Sequence, residues 1–550
     1  MNSAEITEGS ADYPFRFRLS PPGRWGLFVG AVSLCVALPL FAVLLFLLQP
    51  GPEWAHLQST VLIKYLGNTL LLLVSVLAVS FLMGVPAAWL VSTVEFPGRR
   101  FFSWALVLPL AIPTYVAAFV YFEGPEAAIP LLVKVRTQWG VDAFLACEAI
   151  IRYGLLILLL SSVLFPYLFL GARSAFLQQG RDVLEASRCL GSSPRRTFFR
   201  IALPLARPGI VAGGALVGME VINEYGAVHF FGVPTLTEGI FRTWFGMNDK
   251  ASALRLAAIV MIAVLVFLAA EKALRGRAHF TTENTCSHPP ARRRLRGAKQ
   301  WAAFVICLLP FVLGFLYPVI RLLTWAVSQV EAGSPVFPSV PAILRGTAVA
   351  TTTAIVVTGF AALFAYAVRL RQSRSREMLA RIATLGYAIP GAVVAVGVMA
   401  FFGFVDRSEV PGLPVLGGTL FAISFAYFVR FFAIPNQLSH AGLDRIGRGV
   451  EEASRVLGHG PLQTFLRVNL PLLRGPLFAA AILLFVDLLK ELPLTMILRP
   501  ANFETLSTSA FSLAKEGRMH ACSVPSLLIV LIGGIGLFLM NRRMDSDIRP

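Results

Sequence analysis

A stretch of 29 residues occurs twice in this chain, 267 positions apart, and each copy sits in a basic, polar break between long apolar runs. The first copy carries Val183, Glu185, Ala186, Ser187, Arg188, Leu190 and Gly191, then Pro194, Thr197, Phe198, Arg200, Leu203 and Pro204. The second carries Val450, Glu452, Ala453, Ser454, Arg455, Leu457 and Gly458, then Pro461, Thr464, Phe465, Arg467, Leu470 and Pro471. Aligned without gaps, residues 182–210 and 449–477 agree at 15 of 29 positions. Shared hydrophobicity does not produce that identity among polar residues, so the chain is two homologous halves in tandem.

Composition decides what surrounds them. With 56% hydrophobic and only 14% charged residues and a mean hydropathy of +0.71, the chain holds more apolar sequence than one soluble core hides, and a bilayer is the natural solvent. Runs close to or above the roughly 20 residues a spanning helix needs lie at 25–48, 66–92, 102–122, 150–172, 206–229 and 253–271, then at 301–328, 346–368, 382–404, 415–437, 475–498 and 521–540. The expectation is an all-α polytopic protein of about twelve transmembrane helices, six in each half, with 123–149 as a candidate re-entrant piece. The first half is read as 1–272, a linker as 273–299, and the second half as 300–550.

Charge placement gives the orientation. Lys and Arg gather in cytoplasmic loops, and 33 of the 48 fall in 1–24, 93–101, 172–207, 272–300, 369–381, 438–474 and 541–550. That pattern puts both termini and both repeats in the cytoplasm. The net charge of +18 then reflects retention at that face and lipid-headgroup contact by the linker arginines, with no nucleic-acid partner expected. The first 24 residues are polar, and the apolar run after them lacks a small-residue cleavage site, so it is expected to stay as a span. The six cysteines and seven histidines are dispersed. The cysteines read as small buried hydrophobes, and no paired histidines suggest a membrane-embedded enzyme.

Each repeat reads as a short helix, a tight turn at Gly191 or Gly458, and a second short helix opening at Pro194 or Pro461 and stopping before Pro204 or Pro471. Leu190 and Phe198 are expected to hold it against the membrane, with Glu185 and Arg188 outward. The order Glu-Ala-Ser, then Gly, then Leu-Pro resembles the coupling motif of permease subunits in binding-protein-dependent ABC importers. The resemblance implies the type I importer permease architecture, with coupling segments at 182–204 and 449–471. Glu185, Ala186, Ser187, Arg188 and Gly191, and Glu452, Ala453, Ser454, Arg455 and Gly458, would then dock into two ABC ATPase subunits. One substrate-binding protein would deliver cargo, and ATP and Mg would sit on the ATPases. The chain has no phosphate-loop motif, so no cofactor is expected on it.

Ionisable residues inside a span are costly, and they mark either a pathway or an ion pair. Glu220 and Glu224 in the fifth span, and Asp487 and Glu491 in the eleventh, recur at the repeat offset of 267. Acids four apart share a helix face, and Glu220 lies roughly 21 Å along its span from residue 206. Two such faces across a pseudo-two-fold axis would ring an outer vestibule with oxygen ligands suited to a ferric ion or an organic cation. The opposing reading is structural pairing with Lys490, Arg242, Arg255 or Arg499; Glu148 and Arg152 are expected to pair, and His229 is a possible ligand. Residues 224–244 and 487–506 resemble ferric-iron importer permeases, and fused permeases for thiamine or phosphonate are also similar. Ferric iron is the expected cargo, with thiamine, phosphonate or polyamine on the same machinery, and a proton-coupled secondary transporter, as alternatives. The metal ligands, if any, are not specified by the sequence.

Overall fold

A proline in an apolar run does not stop it from entering a bilayer, but it dictates where the backbone turns, and the spans of this protein are organised by such turns. The computed structural model describes residues 23–49, 51–179, 186–187, 189–275, 293–331, 340–371, 373–408 and 414–546. Helices dominate, because in lipid an unbroken helix satisfies its backbone N–H and C=O groups within one segment. Seven are long and apolar enough to cross alone: Arg24–Leu45, Leu62–Thr93, Ile129–Gln178, Lys250–Arg275, Ala298–Glu331, Ile343–Leu370 and Pro461–Lys490. Three further crossings are bent pairs, Arg99–Ala111 with Thr114–Pro125, Pro194–Leu205 with Arg207–Asn223, and Arg374–Ala388 with Gly391–Arg407. The shorter apolar helices Leu420–Phe431 and Ser523–Gly536 fall where the tenth and twelfth spans are expected. Every expected span therefore has a helical counterpart, and spans are numbered below in that order.

Four local expectations are corrected. The third and ninth spans are bent by 89° and 114°, not continuous. Pro113 and Pro390 force the residue before them out of helical space, and Ile112 (φ −93, ψ 117) and Ile389 (φ −90, ψ 134) are accordingly extended. The fifth and eleventh spans end early, because Glu224 (φ −64, ψ 122) and Glu491 (φ −69, ψ 120) are themselves extended. Pro471 does not end its helix, and the first-half helix runs one residue past Pro204, to Leu205, before a 68° bend. π-helical turns at Phe198–Ala202 and Phe465–Asn469 directly precede them, and the wider turn absorbs a residue without an N–H. Residues 123–149 are helical and join the fourth span through a kink at Gly140 (φ 86, ψ −177). Among the described cysteines Cys35 and Cys189 are exposed and Cys147 is half-buried, so of these only buried Cys307 and Cys522 fit the reading as core hydrophobes; Cys286 lies outside the described residues.

The halves interlock. The first span packs on the eighth and ninth, where the Ser33 hydroxyl donates to the Leu379 carbonyl at 2.9 Å. The seventh span packs on the first half, with the Tyr121 hydroxyl donating to the Leu313 carbonyl at 2.8 Å and Arg321 paired with Glu123. The fourth and fifth spans approach at Gly171, Gly209 and Gly213, where an added Cβ would strike the facing backbone. A two-residue parallel bridge, Val94–Glu95 to Arg293–Arg294, ties the linker to the end of the second span. One continuous apolar core runs through both halves, and the bent third and ninth spans point their breaks at its centre.

Candidate functional site: two repeated turns and a carboxylate cavity

The two repeated turns share a frame. Gly191 (φ +77) and Gly458 (φ +87) occupy the left-handed region that only glycine enters without strain. Ser192 N–H donates to the Ser187 carbonyl at 3.1 Å, and His459 N–H to the Ser454 carbonyl at 3.2 Å, closing each helix end. Ser187 and Ser454 are buried, and each hydroxyl bonds a threonine ten residues on, Thr197 or Thr464, at 3.0 Å. The serine of each motif thus fastens the turn and does not face a partner. Ala186, Glu452, Ala453, Arg455 and Gly458 are exposed; Glu185 and Arg188 lie outside the described residues. Leu190 is 86% exposed, and Val456 and Leu457 are likewise outward.

The four acids of the spans converge. Glu220, Glu224, Asp487 and Glu491 line one cavity of about 120 Å³ between the halves, with Arg430 and Lys490 as the cations on its wall. Glu224 and Glu491 do more than line it. Glu224 Oε1 accepts from the Ala227 N–H at 2.7 Å, and Glu491 Oε1 from the Leu494 N–H at 3.1 Å. Each carboxylate therefore caps the short helix that follows its span, Gly226–Phe230 or Pro493–Leu498. This is why the spans stop where they do, and why Glu220 and Glu224 do not share a helix face as the four-residue spacing suggested.

Partners differ between halves. The Thr114 hydroxyl donates to Glu224 at 2.5 Å, whereas Arg430 Nη1 lies 3.0 Å from Glu491 in a buried ion pair. Lys490 pairs with Asp487 at 2.7 Å. Glu220 makes no hydrogen bond or ion pair with another described residue, and the Tyr115 hydroxyl on the same wall is buried without a partner. The pairing reading holds for two of the four acids: Asp487 and Glu491 are ion-paired, and Glu220 and Glu224 form no ion pair with another described residue. Among the described residues no three His, Cys, Asp or Glu side chains are grouped to hold a metal ion. Arg242 and Arg499 instead line a second cavity of about 870 Å³ that shares Tyr225 with the first, and Arg255 stacks over Trp54 at 4.3 Å. His229 lies on that second cavity, 3.7 Å from Glu238, and Glu148 pairs with Arg152 at 3.6 Å as expected.

Sequence reasoning missed Arg430 and Thr114. Arg430 was visible as a lone ionisable residue in an apolar run, and Thr114 follows the Ala-Ile-Pro at 111–113 that recurs at 388–390.

Comparison with known proteins gives the same two-half pattern. The model of the family described as binding-protein-dependent transport system inner membrane component matches residues 80–275 and again 354–550. The Fe(3+)-transport system permease protein FbpB 2 of Haemophilus influenzae is 25% identical over 530 residues, covering 95% of this chain and 99% of that protein. The sulfate transport system permease protein CysW of Escherichia coli is 26% identical over 38% of this chain and 70% of its own length. The molybdate/tungstate transport system permease protein WtpB of Pyrococcus abyssi is 26% identical over 37% of this chain and 75% of its own.

Proposed function

Because this chain belongs to the binding-protein-dependent transport system inner membrane component family, and is thus a membrane-spanning permease subunit of an ABC importer, we propose that it carries ferric iron. One copy supplies both permease halves, two separate ATPase subunits dock on the repeated turns, and one substrate-binding protein delivers cargo from outside. ATP and Mg belong to the ATPases, and the termini and both turns lie in the cytoplasm, as the Lys and Arg distribution supports.

The observation that carries the cargo reading is the charge of the cavity: four carboxylates against two cations on one wall. An excess of oxygen anions attracts a hard cation and repels sulfate or molybdate. The cavity in this conformation admits an ion or a few waters, not a thiamine or a polyamine. The full-length similarity to a ferric permease supports the same choice, whereas the oxyanion permeases match over little more than a third of the chain. ATP closure of the ATPases would draw the two turns together and open the cavity outward; hydrolysis would reset it.

The test is uptake of radioactive ferric iron by proteoliposomes holding the chain, its ATPase and its binding protein, beside a Glu185→Ala/Glu452→Ala double variant. ATP-dependent uptake that collapses in the variant supports cargo and coupling together. ATP-dependent turnover without iron uptake sinks the cargo and sends the search to thiamine, phosphonates and polyamines.

A further inference from the structure

The second turn is seated on its half by a buried ion pair. In the second half, Arg369 in the last turn of the eighth span lies with its Nε 3.2 Å from Glu451 Oε1, both side chains under a tenth exposed. Glu451 belongs to the helix Arg448–Val456 and immediately precedes the motif glutamate. The Asn469 amide approaches the same Oε1 at 3.4 Å, Arg369 Nη1 donates to the Leu443 carbonyl, and the Tyr366 hydroxyl donates to the Pro461 carbonyl at 3.0 Å. One arginine thus joins the span, the turn helix and the end of the tenth crossing.

In the first half the contacts among the described residues differ. Trp89 packs 5.2 Å from the rings of both Phe176 and Phe198, as Tyr366 packs on Phe465, and the Gln179 amide donates to the Ala202 carbonyl at 2.8 Å. Three residues beyond Trp89, where Arg369 stands relative to Tyr366, is Ser92, buried with no partner for its hydroxyl. At the repeat offset of 267, Leu184 and Ala202 stand in place of Glu451 and Asn469. A buried ion pair set among hydrogen bonds fixes a register.

We infer that Arg369 and Glu451 are positioning residues that lock the second coupling helix to the eighth span, so that ATP-driven motion is transmitted rigidly into the second half. This rests on the reading that both turns dock ATPases.

The experiment uses the full complex in proteoliposomes and reads ferric iron taken up per ATP hydrolysed, with amide hydrogen exchange on the same variants. Glu451→Gln and Arg369→Gln should leave ATP hydrolysis close to wild type while uptake per ATP falls about tenfold or more, and exchange across 448–457 should rise by a similar factor with 189–191 unchanged. The paired change Arg369→Met/Glu451→Met removes both charges and leaves no buried charge unpaired, so it should assemble and hydrolyse ATP yet stay uncoupled. Ser92→Ala should change nothing. Hydrolysis and uptake falling in the same proportion, or wild-type coupling regained in the paired variant, would overturn the inference. If the wild-type complex shows no ATP-driven uptake at all, the functional reading fails, and unchanged exchange at 448–457 in the Glu451→Gln chain is then the result that overturns the clamp.

Discussion

At the centre of the membrane the two halves solve one problem twice. Each ends its long span at a glutamate, and each uses that carboxylate to cap the next helix, with Ala227 and Leu494 as the N–H donors. They differ in what balances the charge. In the first half Thr114 follows the helix-breaking Pro113 and its hydroxyl reaches Glu224. In the second, Gly391 follows Pro390, and a Cβ there would intrude on the Arg430 guanidinium and the Glu491 carboxylate. The missing side chain makes room for the ion pair, and Gly391 N–H is used instead to donate to Asn223 Oδ1 at 2.9 Å. The lesson is that a duplicated frame can keep its backbone while its charge is redistributed: among the described residues the acids of the second half are ion-paired and those of the first half are not.

Exchanging the differing residues tests that contrast. Arg430→Val, which installs the residue found 267 positions earlier at Val163, leaves Glu491 buried and unpaired and should cost about 3–5 kcal/mol, read as thermal unfolding in detergent. A loss under about 1 kcal/mol would mean that the pair does not balance the second half. Thr114→Val removes only a hydroxyl and should cost about 1.5–3 kcal/mol on the same assay, while Thr114 variants that keep a donor, such as Thr114→Ser, stay near wild type. At the repeated turns the halves should behave alike, because both glycines are left-handed: Gly191→Val and Gly458→Val should each cost about 1–3 kcal/mol and weaken ATPase association. Normal association in both would remove the left-handed turn from the account.

The smallest effect lies outside the spans. Asp249 is buried, which opposes ionisation, but the Ser252 hydroxyl and N–H and the Glu53 N–H outweigh that and hold its carboxyl below the ordinary value. Its counterpart Glu516 is exposed, with Arg518 at 4.0 Å. A depressed carboxyl contributes stability above its unfolded pKa and loses it as pH falls through the folded value. Asp249→Asn should therefore lower the melting temperature at neutral pH and converge with wild type in acid. A pH-independent gap for Asp249→Asn would contradict the hydrogen-bond count.

The repeat, the spans and the four acids were legible because each depends on local composition or on identity at a fixed offset. The ends of the fifth and eleventh spans were not, since apolar residues such as Val228 and Leu494 continue the hydrophobic run past the break. What ends the helix is a carboxylate capping the next segment, a choice visible only in three dimensions. Arg430 was hidden for a related reason: attention to acids left the lone cation of the tenth span unasked for.

The most direct measurement compares radioactive ferric iron with radioactive sulfate in proteoliposomes holding the chain, its ATPase and its binding protein, for the wild type and a Glu220→Gln/Glu224→Gln variant. The account predicts ATP-driven iron uptake without sulfate uptake, and loss of iron uptake in the variant with ATP hydrolysis retained. Sulfate uptake by the wild type, or iron uptake undiminished in the variant, would contradict it.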